Sequence, residues 1–248
     1  MEKISACIIT KNEEENIERC LLSLDWVDEI IIVDSGSEDS TKEICKKYQC
    51  RFFETKWLGF GKTKKFAVSK STNNWILSID ADEEISIELK YKIQAFLKSP
   101  VLSGVYIKRI SYYLGNQIRF CGWQNDYPLR IFDKRKANFN ENLVHESVVI
   151  EEGNTSKFKE PIFHHPYKNI NEHLKKINFY TELSAQSLSQ RGKRSNPIYA
   201  ISSALVKFIK MYVIKLGFLD GLNGLTLSII SSYSSLIKYL KLWSFNKK

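Results

Sequence analysis

The sequence predicts an α/β fold, a doubly wound and mostly parallel sheet, followed by a C-terminal amphipathic helical appendage. Three observations carry this prediction. Over residues 1–100, β-branched runs alternate with stretches of helical periodicity; residues 104–165 add further short strands; from about 169 onward, apolar residues recur at helical spacing. With 248 residues, 43% of them hydrophobic, the chain can bury a substantial core.

The elements follow in order. "KISACIIT" is a strand, and "NEEENIERCLLSL" places Ile17, Leu21, Leu22 and Leu24 at helical spacing behind acids that suit a helix N-terminus. "EIIIVD" is a second strand, followed by a turn and a helix that Asp39 or Ser40 can cap. "CRFFET" is a third strand, "KTKKFAVSKS" a helix, "NWILSID" a fourth strand and "SIELKYKIQAFLKS" a helix that Pro100 ends. Right-handed crossovers between such strands give a parallel sheet. "GVYIKRISYYLGNQIRF" reads as a hairpin turning at "LGN". "PLRIFDK", "HESVVIEE" and "PIFHHPY" are further strands that extend the sheet, and helix returns in "NINEHLKKINFYTELSAQSLSQ".

Charge separates the chain into two parts. The net charge is +9, yet the first 182 residues hold 27 bases and 27 acids. Beyond Glu182 the only acid is Asp220, against ten bases from Arg191 to Lys248. In that region Leu205, Phe208, Ile209, Tyr212, Val213 and Leu216 fall on one helical face, with Lys207, Lys210 and Lys215 on the other flank. The longest uncharged run, 221–237, has 17 residues and is diluted by five serines, which falls short of a spanning helix. A basic amphipathic pair of helices is therefore expected to lie on an anionic membrane surface. The alternative is a helical hairpin packed on the main domain with its lysines in water. The five cysteines lack zinc-site spacing and fit a reducing, cytoplasmic compartment, and the apolar N-terminal stretch is too short for a secretory signal.

Ligands of open parallel sheets bind at the C-terminal ends of the strands. The polar candidates there are Thr10, Asn12 and Glu13 after the first strand, Asp34 to Ser37 after the second, and Asp80 and Asp82 after the fourth. Asp-x-Asp can turn two carboxylates toward one Mg²⁺ or Mn²⁺ ion, although "DADEEIS" also suits the acidic first turn of a helix. The reading adopted divides the four acids: Asp80 and Asp82 face the ligand, while Glu83 and Glu84 favour the start of the next helix. "GFGKT" at 59–63 lacks the first glycine of a P-loop, since position 56 is Lys56. No aromatic and basic surface marks nucleic-acid binding.

Taken together, "ITKNEEENIERCLLSL", "VDSGSEDST", the basic residue in the third helix and "DAD" resemble the inverting family 2 glycosyltransferases, which have the GT-A fold. "PLRIFDKRKANFNENLVHESV", "FHHPYKNINEHLKKINFYTELSA" and "GFLDGLNGL" are similar to the subgroup related to lipopolysaccharide core glucosyltransferases. The resemblance implies that Thr10 and Asp34 hold the nucleotide base, that Lys64 approaches the nucleotide, and that Asp80 and Asp82 serve ribose and metal. It also makes Glu146 the catalytic base, with Glu141 the alternative, and His164 a ligand to metal or diphosphate, with His165 its competitor. Lys64 stands where many relatives have Arg, which leaves the nucleotide open. A UDP-sugar donor and a lipid-linked glycan acceptor, such as lipopolysaccharide core, are the implied partners. Residues 1–190 are then expected to form the catalytic domain and 191–248 the membrane-associating region, peripheral on the inner face of the cell membrane. A non-catalytic sugar-nucleotide-binding protein of the same fold is the competing reading. Nucleotidyl transfer is disfavoured because "TKNEEEN" is acidic and lacks glycine.

Overall fold

The computed structural model describes residues 1–140 and 146–247. The chain forms two compact units: residues 1–109 with 126–164, and 110–125 with 165–248. The first unit therefore ends at His164, and a short excursion in mid-chain belongs to the second.

In the first unit, β1 (Ile4–Thr10), β2 (Glu29–Asp34), β3 (Arg51–Glu54) and β4 (Trp75–Ser78) are the four parallel strands expected from the sequence. Their connections carry α1 (Ile17–Leu22), α2 (Thr41–Lys46) and α3 (Phe60–Lys70). After β4 come β5 (Glu83–Ile85), α4 (Ile87–Phe96), β6 (Gly104–Tyr113), β7 (Asn116–Gln117), β8 (Leu129–Asp133), β9 (Ala137–Phe139), β10 (Val148–Ile150) and β11 (Thr155–His164). The sheet has nine strands in the order β3-β2-β1-β4-β8-β6-β11-β5, with β7 pairing off this path with β6. β4–β8, β8–β6 and β11–β5 are antiparallel, so the strand-rich middle of the chain extends the parallel half, as expected. β9 and β10 form a separate two-stranded sheet.

Both faces of the parallel half are buried, because alternate residues of one strand point to opposite sides. Ile4, Ala6 and Ile8 of β1 join one apolar cluster with Leu21, Leu89 and Ile93, while Cys7 joins another with Val33, Ala67 and Val68. The five cysteines are free thiols, four of them buried.

Two local expectations are corrected. The first helix begins only at Ile17, because the acidic stretch before it is held as a loop: Glu13 N–H donates to Thr41 Oγ1 at 2.8 Å and Glu14 N–H to Asp39 Oδ2 at 3.2 Å. Glu83 and Glu84 do not start a helix. They form β5, paired with β11, and α4 begins after Ser86, whose hydroxyl accepts from Leu89 N–H at 3.2 Å. The reason is burial: Glu83 is fully enclosed among arginines, as described below, and a first-turn acid on a solvated helix end has no such partners.

The second unit is mainly helical: α5 (Ile170–Gln190), α6 (Pro197–Ile209), a π-helical turn Lys210–Ile214, a 3₁₀ turn Gly217–Asp220 and α7 (Gly221–Phe245). "GFLDGLNG" acts here as a packing device. A Cβ on Gly224 would lie 1.9 Å from the carbonyl oxygen of Gly217, and one on Gly217 would lie 2.7 Å from Met211 O and Cys121 Sγ. Only glycine admits such an approach. The Asp220 carboxylate accepts from the backbone N–H groups of Arg119 (3.0 Å) and Phe120 (2.9 Å), tying 110–125 to the helices.

Candidate active site

The C-terminal ends of β1, β2 and β4 carry the polar residues. Thr10 and Asp34 are register partners on neighbouring parallel strands. Asp34 is buried, and its Oδ1 accepts from the N–H of Gly36 at 2.9 Å and of Ser37 at 2.8 Å, while Ser37 Oγ donates to Oδ2. Beside it the hydroxyls of Thr10 and Ser35 are buried without a hydrogen-bond partner. Buried polar atoms of that kind carry a desolvation cost that a ligand can relieve. Asn12 has a left-handed backbone, φ 55°, and its side chain is used within the protein: Oδ1 accepts from Glu38 N–H at 2.8 Å, while its own N–H donates to Ser37 Oγ at 2.8 Å. Glu13 Oε2 accepts from the Asn16 amide at 2.8 Å. Asn12 and Glu13 thus knit the loop after β1 to the loop after β2.

Beyond β4 lies an array of alternating charge. Lys64, projecting from α3, places its ammonium 2.8 Å from Asp80 Oδ1 and 2.8 Å from Glu146 Oε1. Arg130 of β8 donates to Asp80 Oδ2 at 2.6 Å and pairs with Glu83. Arg109 of β6 lies 3.2 Å from Glu83 Oε1 and 2.6 Å from Asp126 Oδ2. The Asp80 backbone N–H donates to Glu83 Oε2 at 3.1 Å. Burial by itself would raise Asp80, but Arg130 and Lys64 outweigh it and hold the carboxyl well below its usual range. Lys64 is shifted upward: burial opposes its charge, and Asp80 and Glu146 more than restore it. Arg130 is raised by Asp80 and Glu83 against a similar burial cost.

Lys64, Asp80, Arg109, Arg130 and Glu146 line a cavity of about 360 Å³ with Tyr106, Tyr127, Phe139 and Ser147. A second cavity, of about 440 Å³, lies against Met1–Lys3 and Thr72–Asn74 at the opposite, N-terminal ends of β1 and β4, away from the strand ends where such sheets bind ligands.

Asp82 and His164 form a separate pair, with Oδ2 and Nε2 3.6 Å apart. The register of β5 with β11 sets His164 opposite Glu83 and so brings it beside Asp82. Among the described residues no three His, Cys, Asp or Glu side chains cluster as a ready-made metal site. The pair nevertheless has the donor chemistry and spacing of two adjacent ligands to one small divalent ion, roughly 3–4 Å apart. His165 is instead stacked on Tyr112, ring centroids 4.9 Å apart.

Comparison with known proteins decides the family. The profile of Glycosyl transferase family 2 matches residues 5–150. The chain belongs to glycosyltransferase family 2. An uncharacterized glycosyltransferase of Rickettsia typhi is 31% identical over 260 residues, covering 100% of this chain and 89% of the relative. The lipopolysaccharide core biosynthesis glycosyltransferase LpsC of Rhizobium meliloti is 30% identical over 217 residues, covering 84% of this chain and 80% of LpsC. Among solved structures, S. aureus TarS in complex with UDP-GlcNAc aligns with a TM-score of 0.50 at 14% identity, covering 99% of this chain and 92% of that one, a likeness of fold.

In this family 2 glycosyltransferase the fold brings the sequence candidates into three groups: Thr10 with Asp34, Lys64 with Asp80 and Glu146, and Asp82 with His164. Glu141 and His145 lie outside the described residues. Sequence reasoning missed Arg109, Arg130 and the part played by Glu83. The available signal was a single arginine inside the apolar strand "PLRIFD": a buried charge there requires a partner.

Proposed function

We propose that this family 2 glycosyltransferase transfers a hexose, with glucose as first choice, from a UDP-sugar to a lipid-linked glycan of the lipopolysaccharide core type, with inversion.

 The observation that carries this is the meeting of Lys64, Asp80 and Glu146 in one cavity at the strand ends. The likeness to a lipopolysaccharide core glycosyltransferase supports the acceptor class.

In this reading Thr10 and Asp34 receive the base, and the unpartnered Thr10 hydroxyl is the atom that a base would satisfy. Asn12 and Glu13 hold the shape of that loop. Lys64 and Arg130 orient Asp80 toward the ribose and keep it ionised. Asp82 and His164 would hold Mg²⁺ or Mn²⁺, whose charge offsets that gathering on the departing diphosphate. Glu146 takes the proton of the acceptor hydroxyl as its oxygen bonds to the anomeric carbon. The bond from that carbon to the diphosphate oxygen breaks with its electron pair, and the nucleoside diphosphate leaves. Attack from the face opposite the leaving group inverts the anomeric centre.

We assign residues 1–190 to donor binding and catalysis and the basic region 191–248 to the inner face of the membrane that carries the acceptor. The test is transfer from a panel of nucleotide sugars to a lipid-linked core acceptor, with Glu146→Gln in parallel. The expected result is a loss of kcat on the order of 10²–10⁴ with donor binding retained. An unchanged kcat would remove Glu146 from the role of base.

A further inference from the structure

The sequence places Phe208 and Tyr212 on the apolar face of the basic region, and in the structure both are half-buried. They stack on each other at 5.4 Å, and Tyr212 meets Phe218 edge-on at 6.3 Å. The face left in water is aliphatic: Ile198, Ile201, Leu205, Val206, Ile209 and Val213, all between 42% and 80% exposed. At about 100° per residue these six fall within one stripe of α6 and the turn that continues it. An apolar stripe this long on a surface helix marks an interaction site.

We infer that this stripe is a membrane-docking face, and that α6 lies in the plane of an anionic bilayer with the stripe among the acyl chains. Charge selects the occupant. Lys210 is exposed beside the stripe, Lys207 lies nearer Lys238 of α7, and Arg191, Lys193 and Arg194 precede it. Asp220, the sole acid between 183 and 248, has its carboxylate committed to two backbone N–H groups. A second copy packed face to face would bring these bases together, whereas anionic headgroups neutralise them.

The helix lies flat for two reasons. Pro197–Ile214 is long and apolar enough to cross a membrane by length and composition. However, Lys207 and Lys210 would then enter the hydrocarbon. In addition, α6 is joined to α7 by polar contacts at its middle. Ser203 Oγ and Ser235 Oγ are 2.8 Å apart, and Ser232 Oγ donates to Ala204 O at 2.8 Å. Crossing would carry those groups into lipid, while lying flat keeps them inside the protein.

The inference deepens the proposed site of action and rests on it only for its purpose; binding is testable without acceptor. The full chain is sedimented with vesicles of phosphatidylcholine alone or mixed with phosphatidylglycerol. Binding is expected to the mixed vesicles and to weaken in high salt. Ile201→Ser, Leu205→Ser and Ile209→Ser combined should weaken it by at least about 100-fold. Lys207→Gln with Lys210→Gln should weaken it about tenfold or more, a measurement that stands even if the triple variant fails to fold. No vesicle binding by the parent chain, or undiminished binding by both variants, overturns the inference. So does self-association that the triple variant abolishes while vesicles stay unbound, which would assign the stripe to a second copy. Vesicle binding without sugar transfer sustains the docking face and overturns the acceptor reading alone.

Discussion

Replacing Glu83 with alanine tests whether a buried carboxylate holds the site together. Glu83 has no exposed surface, pairs with Arg130 and Arg109, and accepts the Asp80 N–H. Each arginine keeps one other carboxylate after the change, Asp80 for Arg130 and Asp126 for Arg109, so neither charge is fully orphaned. The lower end of the range for breaking a buried pair therefore applies, about 3 kcal/mol. The Asp80 N–H loses its acceptor at a further cost of about 1 kcal/mol or more. A total of about 4 kcal/mol corresponds to a fall in Tm of roughly 8–16 °C for a chain of this size. Differential scanning calorimetry at neutral pH measures it. Glu83→Gln, which keeps the shape and an acceptor, should lose roughly half as much. A fall of less than about 3 °C for Glu83→Ala would refute the reasoning, because the array would then be held without its central carboxylate.

Asp82→Ala should abolish transfer and any Mn²⁺-dependent rise in Tm on adding donor, while the fold stays intact; full activity would sink the metal assignment. His173 should make stability depend on pH. It is buried 3.1 Å from the Tyr113 hydroxyl and stacked on Tyr167, and burial followed by Lys176 lowers its pKa to about 4. The unfolded chain takes up this proton near pH 6.5 and the folded chain only near 4, so stability falls as pH drops through that window, by up to about 3 kcal/mol. Urea titrations of His173→Phe from neutral pH downward should show that slope removed. Asp80 acts lower: its native pKa is depressed, so its contribution is complete above the unfolded value near 4 and is lost as pH falls further. Asp80→Asn should flatten that acid limb in the same titrations. Gly224→Ala should cost about 3 kcal/mol in thermal unfolding, because its Cβ would overlap the Gly217 carbonyl.

The four parallel strands were legible because fully buried strands are continuous apolar runs, and the polar residues that end them mark the ligand edge. Thr10, Asp34, Asp80 and Asp82 could be read in this way from one residue after another. The arginines could not. Arg130 and Arg109 lie on β8 and β6, 50 and 29 positions beyond Asp80, and local pattern carries no record of which charge a distant strand will deliver. The same limit misassigned Glu83: beside a helix start its charge looked like a dipole partner, and only the arrival of two guanidinium groups made it a buried strand residue. The exposed face of α6 was also beyond reach, since periodicity identifies an apolar stripe but not whether another helix covers it.

By itself, then, the sequence determined the order of elements, the parallel half of the sheet, the carboxylates at its edge and the basic character of the last quarter. These are properties of short segments, set by periodicity, strand ends and composition. Tertiary structure decided the partners: Lys64 between Asp80 and Glu146, Arg130 on Asp80 and Glu83, and His164 beside Asp82. Those pairings depend on strand order and register, which are fixed by burying the whole sheet at once.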